Sequence, residues 1–227
     1  MISIIIPVLN EAVLITQALS ALQPFRAAGH EVIVVDGGSM DNTIALSEPF
    51  SDHLVRSPRG RSRQMNAGAR VAMGEILLFL HADTLLPAGA DLLILGGMKS
   101  KRRNWGRFDV RLSESHLLFR ITEWLMNWRS RLTGIATGDQ GIFVQRQLFE
   151  AVGGFPDIDL MEDIALTKIL KRHDRPVCLR QRVLTSSRRW KENGIIRTTL
   201  LMWRLRLTYF LGSDPRRLAQ IYERPKD

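Results

Sequence analysis

Five short stretches hold side chains that could do chemistry. In LFLHADT, residues 78–84, the apolar run is too continuous to keep a carboxylate inside it, so Asp83 must emerge at its end. One or two carboxylates in that position can hold a divalent cation, which in turn neutralises a diphosphate. His81 lies two residues earlier and points to the same side if the strand geometry continues. In LMEDIAL, residues 160–166, Glu162 and Asp163 are adjacent carboxylates at the expected start of a helix. A carboxylate there could take a proton from an attacking hydroxyl, although helix N-termini favour acidic residues for dipole reasons alone. In EVIVVDGGSMDNT, residues 31–43, Asp36 ends an apolar run and could accept hydrogen bonds from a base or ribose, while the following glycines let backbone N–H groups approach a ligand. RGRSRQMNAGAR, residues 59–70, sets Arg59, Arg61 and Arg63 at a helix start, where they suit a diphosphate or simply face solvent. SSRRWKENG, residues 186–194, joins Arg188, Arg189 and Trp190: guanidinium groups for a leaving diphosphate and an indole to stack on a ring.

The elements that must position these groups alternate through the first hundred residues. ISIII reads as a strand closed by Pro7, EVIVVD as a second, HLVRS as a third and EILLFLHAD as a fourth. Between them, residues 11–28 have helical spacing with Asn10 as N-cap, Asp41 caps a short helix through Leu46, and residues 62–73 look helical. Strands that are apolar throughout, separated by helices, predict a parallel sheet covered on both faces, with ligands at its carboxyl edge. Pro7–Asn10, Asp36–Ser39 and His81–Thr84 all fall at that edge. Beyond residue 100, WGRFDVRL alternates like an exposed strand and residues 114–132 read as a helix whose apolar side carries Leu117, Leu118, Ile121, Leu125 and Trp128. GIFVQR reads as a strand, residues 162–173 as a helix and residues 194–211 as a long amphipathic helix with Trp203, Leu207 and Phe210.

The 227 residues suffice for one sizeable domain with an appended arm, and 45% hydrophobic with 24% charged content is that of an ordinary globular protein. Cys178 is the only cysteine, which excludes a disulfide framework and a cysteine metal cluster and fits a reducing compartment. MISIIIPVLNE lacks the basic n-region of a signal peptide, and no uncharged stretch is long enough to span a bilayer, so a cytoplasmic location is expected. The net charge of +9 is uneven: residues 1–100 hold 7 Lys and Arg against 9 Asp and Glu, and residues 101–227 hold 25 against 14. A basic second half suits an anionic partner. Nucleic acid is disfavoured, because aromatic residues do not interleave with the basic ones as stacking platforms would.

In order along the chain, SIIIPVLNE, VIVVDGGSMDNT, MNAGARVAMGEILLFLHADT, GDQGIFVQRQLFEAVGGFP, LMEDIAL and SRRW resemble the family 2 glycosyltransferases of GT-A fold over roughly residues 2–190. The resemblance implies an α/β fold with a mostly parallel central sheet flanked by helices, in a transferase domain of residues 1–190. Within it, residues 1–100 would be the nucleotide-binding half and 101–190 the acceptor half, with a helical C-terminal arm at 191–227. It also implies an inverting, metal-dependent transfer from a nucleotide diphosphate sugar to an acceptor hydroxyl. Pro7, Asn10, Glu11 and Asp36 match the nucleotide site, and Asp83 matches the last carboxylate of the DxD motif, which holds Mn²⁺ or Mg²⁺ on the donor diphosphate. Asp163 matches the catalytic base of the Glu162–Asp163 pair, and Arg189 and Trp190 match the end of QxxRW. Arg61 joins the charges on the diphosphate side.

Three positions depart from the family pattern. Gly37 stands where a second aspartate is common, His81 occupies the first position of DxD, and Ser186 replaces the glutamine of QxxRW, which argues against a processive polymer synthase. HADT, MEDI and SSRRW in a short chain look most like the small transferases of arsenosugar biosynthesis. The acceptor is expected to be a small molecule or, alternatively, a polyprenyl phosphate at the inner membrane face, with the arm in peripheral contact. A non-catalytic anion- or nucleic-acid-binding module is the other alternative. The arm permits a homodimer, and Trp105, Asp139, Gln140 and Phe155 are the expected acceptor-facing residues.

Overall fold

The apolar runs of the first hundred residues form four mutually parallel strands, because a strand buried on both faces needs apolar side chains at every position. They are β1 (Ile2–Val8), β2 (Glu31–Asp36), β3 (His53–Arg56) and β4 (Ile76–Phe79), side by side in the order β3-β2-β1-β4. The computed structural model describes residues 1–223 and, within them, every side chain except those of Arg189, Glu192 and Glu223. The sheet continues through β7 (Ile142–Gln145), β6 (Trp105–Leu112), β8 (Val177–Thr185) and a two-residue β5 (Thr84–Leu85) to eight strands. β7 runs antiparallel to β4 and β6, β8 parallel to β6, and β5 antiparallel to β8.

The helices are α1 (Ile15–Ser20), α2 (Gln23–Ala27), α3 (Thr43–Ser47), α4 (Arg61–Val71), α5 (Ala90–Lys101), α6 (Leu117–Thr133), α7 (Arg146–Ala151), α8 (Glu162–His173), α9 (Arg188–Asn193), α10 (Ile195–Phe210) and α11 (Pro215–Glu223). One core on the first sheet face centres on Ile4, Ile6, Val32, Leu78 and Phe143, and a second on the other face on Ile5, Ile33, Leu77, Phe79 and Phe155. On that second face α4 lies so close to the sheet that a Cβ at Gly68 would sit 2.5 Å from Ile5 and 2.9 Å from Val35.

Several sequence expectations are corrected here. The helix expected over residues 11–28 is two short ones, with Pro24 in the first turn of α2. Asn10 does not cap it: Asn10 takes a left-handed φ of 54°, donates its N–H to Ser39 Oγ and accepts from Met40 N–H, which ties the loops after β1 and β2 together. Asp41 likewise bridges loops, accepting from Thr43 and Ala12 N–H. β6 is not exposed, since β7 and β8 flank it and six of its eight residues in a row are buried, including Arg107 and Asp109.

The helix over 114–132 forms as α6 but faces the other way. Its buried side carries Thr122, Glu123, Met126, Asn127 and Ser130, whereas Leu117, Trp124 and Trp128 are exposed. The reason lies in β6. Its pairing with β7 ends at Arg107, leaving backbone groups beyond that point without a strand partner on that side. Asn127 Oδ1 accepts from Val110 N–H (2.8 Å), its Nδ2 donates to Val110 O (3.0 Å), and Glu123 Oε1 accepts from Leu112 N–H (2.7 Å). Buried backbone groups must be paired, and α6 turns its polar side inward to pair them.

Candidate active site

The carboxyl ends of β1 and β4 open into one cavity of about 570 Å³, a volume in the range of small-molecule sites. Gln64 on α4 organises its floor: the Nε2 group donates to Val8 O and Val35 O, both at 2.8 Å, pinning the ends of β1 and β2 to one height. Of the residues expected from sequence, Pro7, Glu11, Arg61, His81, Asp83, Glu162, Asp163 and Trp190 line this cavity. Asn10 and Asp36 stand beside it. Asp36 is buried, and its carboxylate accepts from Gly38 and Ser39 N–H, so it shapes the loop after β2. Arg189 belongs to α9, but its side chain lies outside the described residues.

Asp83 meets the SSRRW segment through the sheet. Thr84 and Thr185 pair across β5 and β8, their hydroxyls 3.0 Å apart, and Ser186 N–H donates to Asp83 O at 3.1 Å. α9 therefore starts beside Asp83, with Arg188 Nη2 3.9 Å from Glu11 Oε2 and Trp190 on the cavity wall. Trp190 Nε1 is buried without a hydrogen-bond partner, a condition a bound acceptor atom would relieve.

Asp163 is held at the start of α8. Its Oδ2 accepts from Gly138 N–H at 2.8 Å and its Oδ1 from Ile164 N–H at 2.6 Å, leaving further lone pairs on both oxygens for the cavity. Met161, immediately before the pair, is buried with a left-handed φ of 69°, a conformation that costs a non-glycine residue roughly 1 kcal/mol or more. That turn aims both carboxylates at the cavity. Glu162 is the more deeply enclosed of the two. Burial and the adjacent Asp163 charge push its pKa up to about 7, against the pull of Arg61.

His81 lines the cavity within range of the Asp83 charge, and its ring is engaged by a third residue. Its Nδ1 lies 3.3 Å from Asp139 Oδ1, and its other nitrogen packs against Gly138 so tightly that a Cβ there would be 2.4 Å away. Burial disfavours the imidazolium, but the Asp139 hydrogen bond together with the Asp139 and Asp83 charges outweighs it and the His81 pKa is raised. Burial would likewise raise the Asp139 pKa, but the His81 hydrogen bond and the charges of His81, Arg61 and Arg206 lower it. Arg61 lines the cavity among these groups, and against the opposing effect of burial the charges of Glu162, Tyr222, Asp139 and Asp163 hold its proton more firmly than usual.

Among the described residues no three His, Cys, Asp or Glu side chains converge as a metal-ligating set. Asp83 is the one carboxylate that the motif brings to the cavity, with Glu11 within electrostatic range. This donor set fits Mg²⁺ or Mn²⁺ in the mode that takes one or two carboxylates and completes its shell with phosphate oxygens and water. Trp105, Gln140 and Phe155, expected to face an acceptor, are instead core residues, and only Asp139 of that group lines the cavity. Gln64, Thr199, Arg206 and Tyr222 line it without having been singled out from sequence. Thr199, Met202, Trp203 and Arg206 recur at helical spacing, which is the signal that could have found them.

Residues 3–147 match the family described as glycosyl transferase family 2, and the chain belongs to that family. It is 36% identical over 179 residues to a PGL/p-HBAD biosynthesis glycosyltransferase of Mycobacterium bovis, covering 68% of this chain and 63% of that relative. It is 28% identical over 190 residues to the probable glycosyltransferase YdaM of Bacillus subtilis, 73% of this chain and 45% of the other. The chain thus spans less than two thirds of the length of the curated relatives it matches. A mannosyltransferase from Pyrobaculum calidifontis, solved with GDP-Man and Mn²⁺, superposes with a TM-score of 0.61 at 25% identity, covering 81% of this chain and 56% of that one. Glucosyl-3-phosphoglycerate synthase from Mycobacterium tuberculosis, solved with Mn²⁺, UDP and glucosyl-3-phosphoglycerate, superposes at 0.58 with 16% identity, covering 82% and 70%. The α/β fold with its large curled sheet is the GT-A fold of these neighbours.

Proposed function

We propose that the chain transfers a sugar from a nucleotide diphosphate sugar to an acceptor hydroxyl, with inversion at the anomeric carbon. The observation that carries this reading is the shared cavity of Asp83 and Asp163, one at the end of β4 and the other fixed by two backbone N–H groups. Asp163 takes the proton of the acceptor O–H as that oxygen forms its bond to the anomeric carbon. The bond from that carbon to the diphosphate breaks on the opposite face, and the diphosphate leaves with the electron pair. Arg188, the unpaired Trp190 indole N–H and Arg61 lie where they can offset its charge, and Arg189 joins them on the strength of its motif position. Mn²⁺ or Mg²⁺ at Asp83 would supply additional positive charge to the diphosphate. Pro7, Asn10, Glu11 and Asp36 form the nucleotide side. Residues 1–190 make up the transferase domain in this reading and 191–227 its arm.

The test is a thermal-shift series of nucleoside diphosphates, each with and without Mn²⁺, on the wild type and on Asp83→Ala. Stabilisation by one nucleotide that requires both metal and Asp83 is expected. A nucleotide response indifferent to both would remove the metal from the reading, and no response to any nucleotide would sink it.

A second reading places the acceptor on a lipid and the protein in peripheral contact with the inner membrane face from the cytoplasm. It is favoured by apolar stripes that α6 and α10 turn outward: Leu200 and Leu207 are each 61% exposed and Trp128 51%, with Arg197 and Arg204 interspersed. Such faces suit the boundary of an anionic bilayer, and no helix among the described residues is long and apolar enough to cross one. Co-sedimentation with anionic but not neutral liposomes is expected, and a homodimer by sedimentation velocity would assign the stripes to a second copy instead. The narrower likeness to transferases of arsenosugar biosynthesis rests on HADT, MEDI and SSRRW and leaves the acceptor open.

A further inference from the structure

The cavity has two cationic ends, and the donor chemistry uses only one. At the first, Glu11 feels the charges of Arg188, Asp83, Arg61 and Asp41. At the second, Arg206 of α10 feels Asp163, Asp139 and Tyr222, and Arg129 of α6 feels Arg206 and Asp163. Asp163 acts on both Arg206 and Arg129 and lines the same cavity as Arg206, so this second group of cations adjoins the proposed base.

The guanidinium groups at that end are short of partners. Arg206 lines the cavity from the inner face of α10 and makes no hydrogen bond or ion pair within the described residues. Arg129 Nε and Nη2 are buried without any hydrogen-bond partner. Arg129 follows Thr122 and Met126 on one face of α6, and those two residues line the cavity. Thr199, two turns before Arg206 on the same face of α10, also leaves its hydroxyl buried and unpaired. Enclosure lowers the pKa of both arginines, and the charge of Arg206 helps to bring that of Arg129 down to about 10. Asp163 and Asp139 offset part of this charge but leave the guanidinium donors unbonded, and buried donors without acceptors are unfavourable until a ligand supplies them.

We infer that the acceptor carries a phosphate group, which Arg206 and Arg129 seat while its hydroxyl is presented to Asp163. A phosphate fits better than a single carboxylate, because its charge approaches two and its oxygens can accept from both forks at once. The inference rests on the transferase reading above and adds the chemical class of its acceptor. A free phosphorylated molecule and a lipid phosphate offer the same group.

The experiment begins with protein saturated by the stabilising nucleoside diphosphate and Mg²⁺, so that the donor end is filled. Inorganic phosphate is then titrated at constant ionic strength and followed by thermal shift, with Arg206→Gln and Arg206→Lys in parallel. Phosphate is expected to add stabilisation to the wild type, to bind about tenfold or more weakly to Arg206→Gln, and to recover in part with Arg206→Lys, while the nucleotide response is the same in all three. In a second arm, flotation with phosphatidylcholine vesicles is compared with and without polyprenyl phosphate. Capture that needs both the lipid phosphate and Arg206 identifies the lipid as the source, and a phosphate response without such capture identifies a free acceptor. Equal phosphate binding in wild type and Arg206→Gln, or no response in either arm, would overturn the inference with the donor reading intact. Loss of the nucleotide response itself would overturn the donor reading instead.

Discussion

α4 and α6 both flank the sheet beside the cavity, yet they are built on opposite plans. α4 follows the ordinary rule: Met65, Ala67 and Gly68 go inward against apolar strand faces, and of its two buried polar side chains Gln64 is spent on two strand-end carbonyls and Ser62 donates to Ile158 O. α6 buries Glu123 and Asn127 and exposes Leu117, Trp124 and Trp128. The difference teaches that a helix is oriented by what its neighbour lacks. Strands β1, β2 and β4 lack only apolar cover, whereas β6 beyond Arg107 lacks hydrogen-bond partners. One consequence is that the wall on α6 and α10 offers polar groups to the cavity and apolar groups to whatever lies outside.

The sharpest test of the two walls is their contact with the reaction. Asp163→Asn is expected to lower turnover by about 10²- to 10⁴-fold while the nucleotide-induced shift in Tm stays as in the wild type; parallel loss of both would contradict its role as base. Next comes the inward face of α6. Asn127→Leu leaves Val110 N–H and C=O unpaired and should destabilise the fold by about 3 kcal/mol, read as a lower urea midpoint with an unchanged slope. An effect below roughly 1 kcal/mol would show that water replaces the side chain and would break the explanation offered for α6.

A smaller effect is expected at Glu162. Its folded pKa, about 7, lies above its usual 4.5, so the folded protein binds the proton more tightly and wild-type stability falls as pH rises through that window. Glu162→Gln should therefore match the wild type below 4.5 and exceed it above about 7, by a Tm gain on the order of 5 °C. A gain that grew towards low pH would have the wrong sign. The smallest effect belongs to the outer faces: Leu200→Ser with Leu207→Ser should change stability by only about 0.5 kcal/mol yet abolish co-sedimentation with anionic liposomes.

These contrasts mark what the sequence makes legible. The parallel half could be read because strands such as Ile2–Val8 and Glu31–Asp36 are buried on both faces and advertise it at nearly every position. Asp83 could be placed at the carboxyl edge because the end of an apolar strand leaves it nowhere else to go, whereas Glu162 and Asp163 could be read only as a helix start, and the family resemblance alone brought them to the same site, whose cavity all three line. α6 misleads because hydropathy records which residues are apolar and not which backbone groups need partners. β6 misleads similarly. Arg107 and Asp109 look like an exposed face, but they pair with each other, and Asp109 also pairs with Arg131 at 2.7 Å. His81 reads as a ligand position in the motif, whereas its partner, Asp139, comes from a loop that no local spacing connects to it. Arg206 is one arginine among many on the arm until the fold brings Asp163 and Asp139 within reach of its charge.

The five tryptophans are divided among environments that light can tell apart. Trp105 is sealed in the core, Trp190 and the half-exposed Trp203 sit on the cavity wall, and Trp124 and Trp128 stack on the outer face of α6 with ring centroids 5.7 Å apart. An aqueous quencher should dim the stacked pair and Trp203 and spare Trp105, a ligand in the cavity should act on Trp190 and Trp203, and a lipid surface should shield the stacked pair. The protein thus carries its own optical probes for folding, for the cavity and for the outer face, and phenylalanine replacements would separate their signals without any added dye.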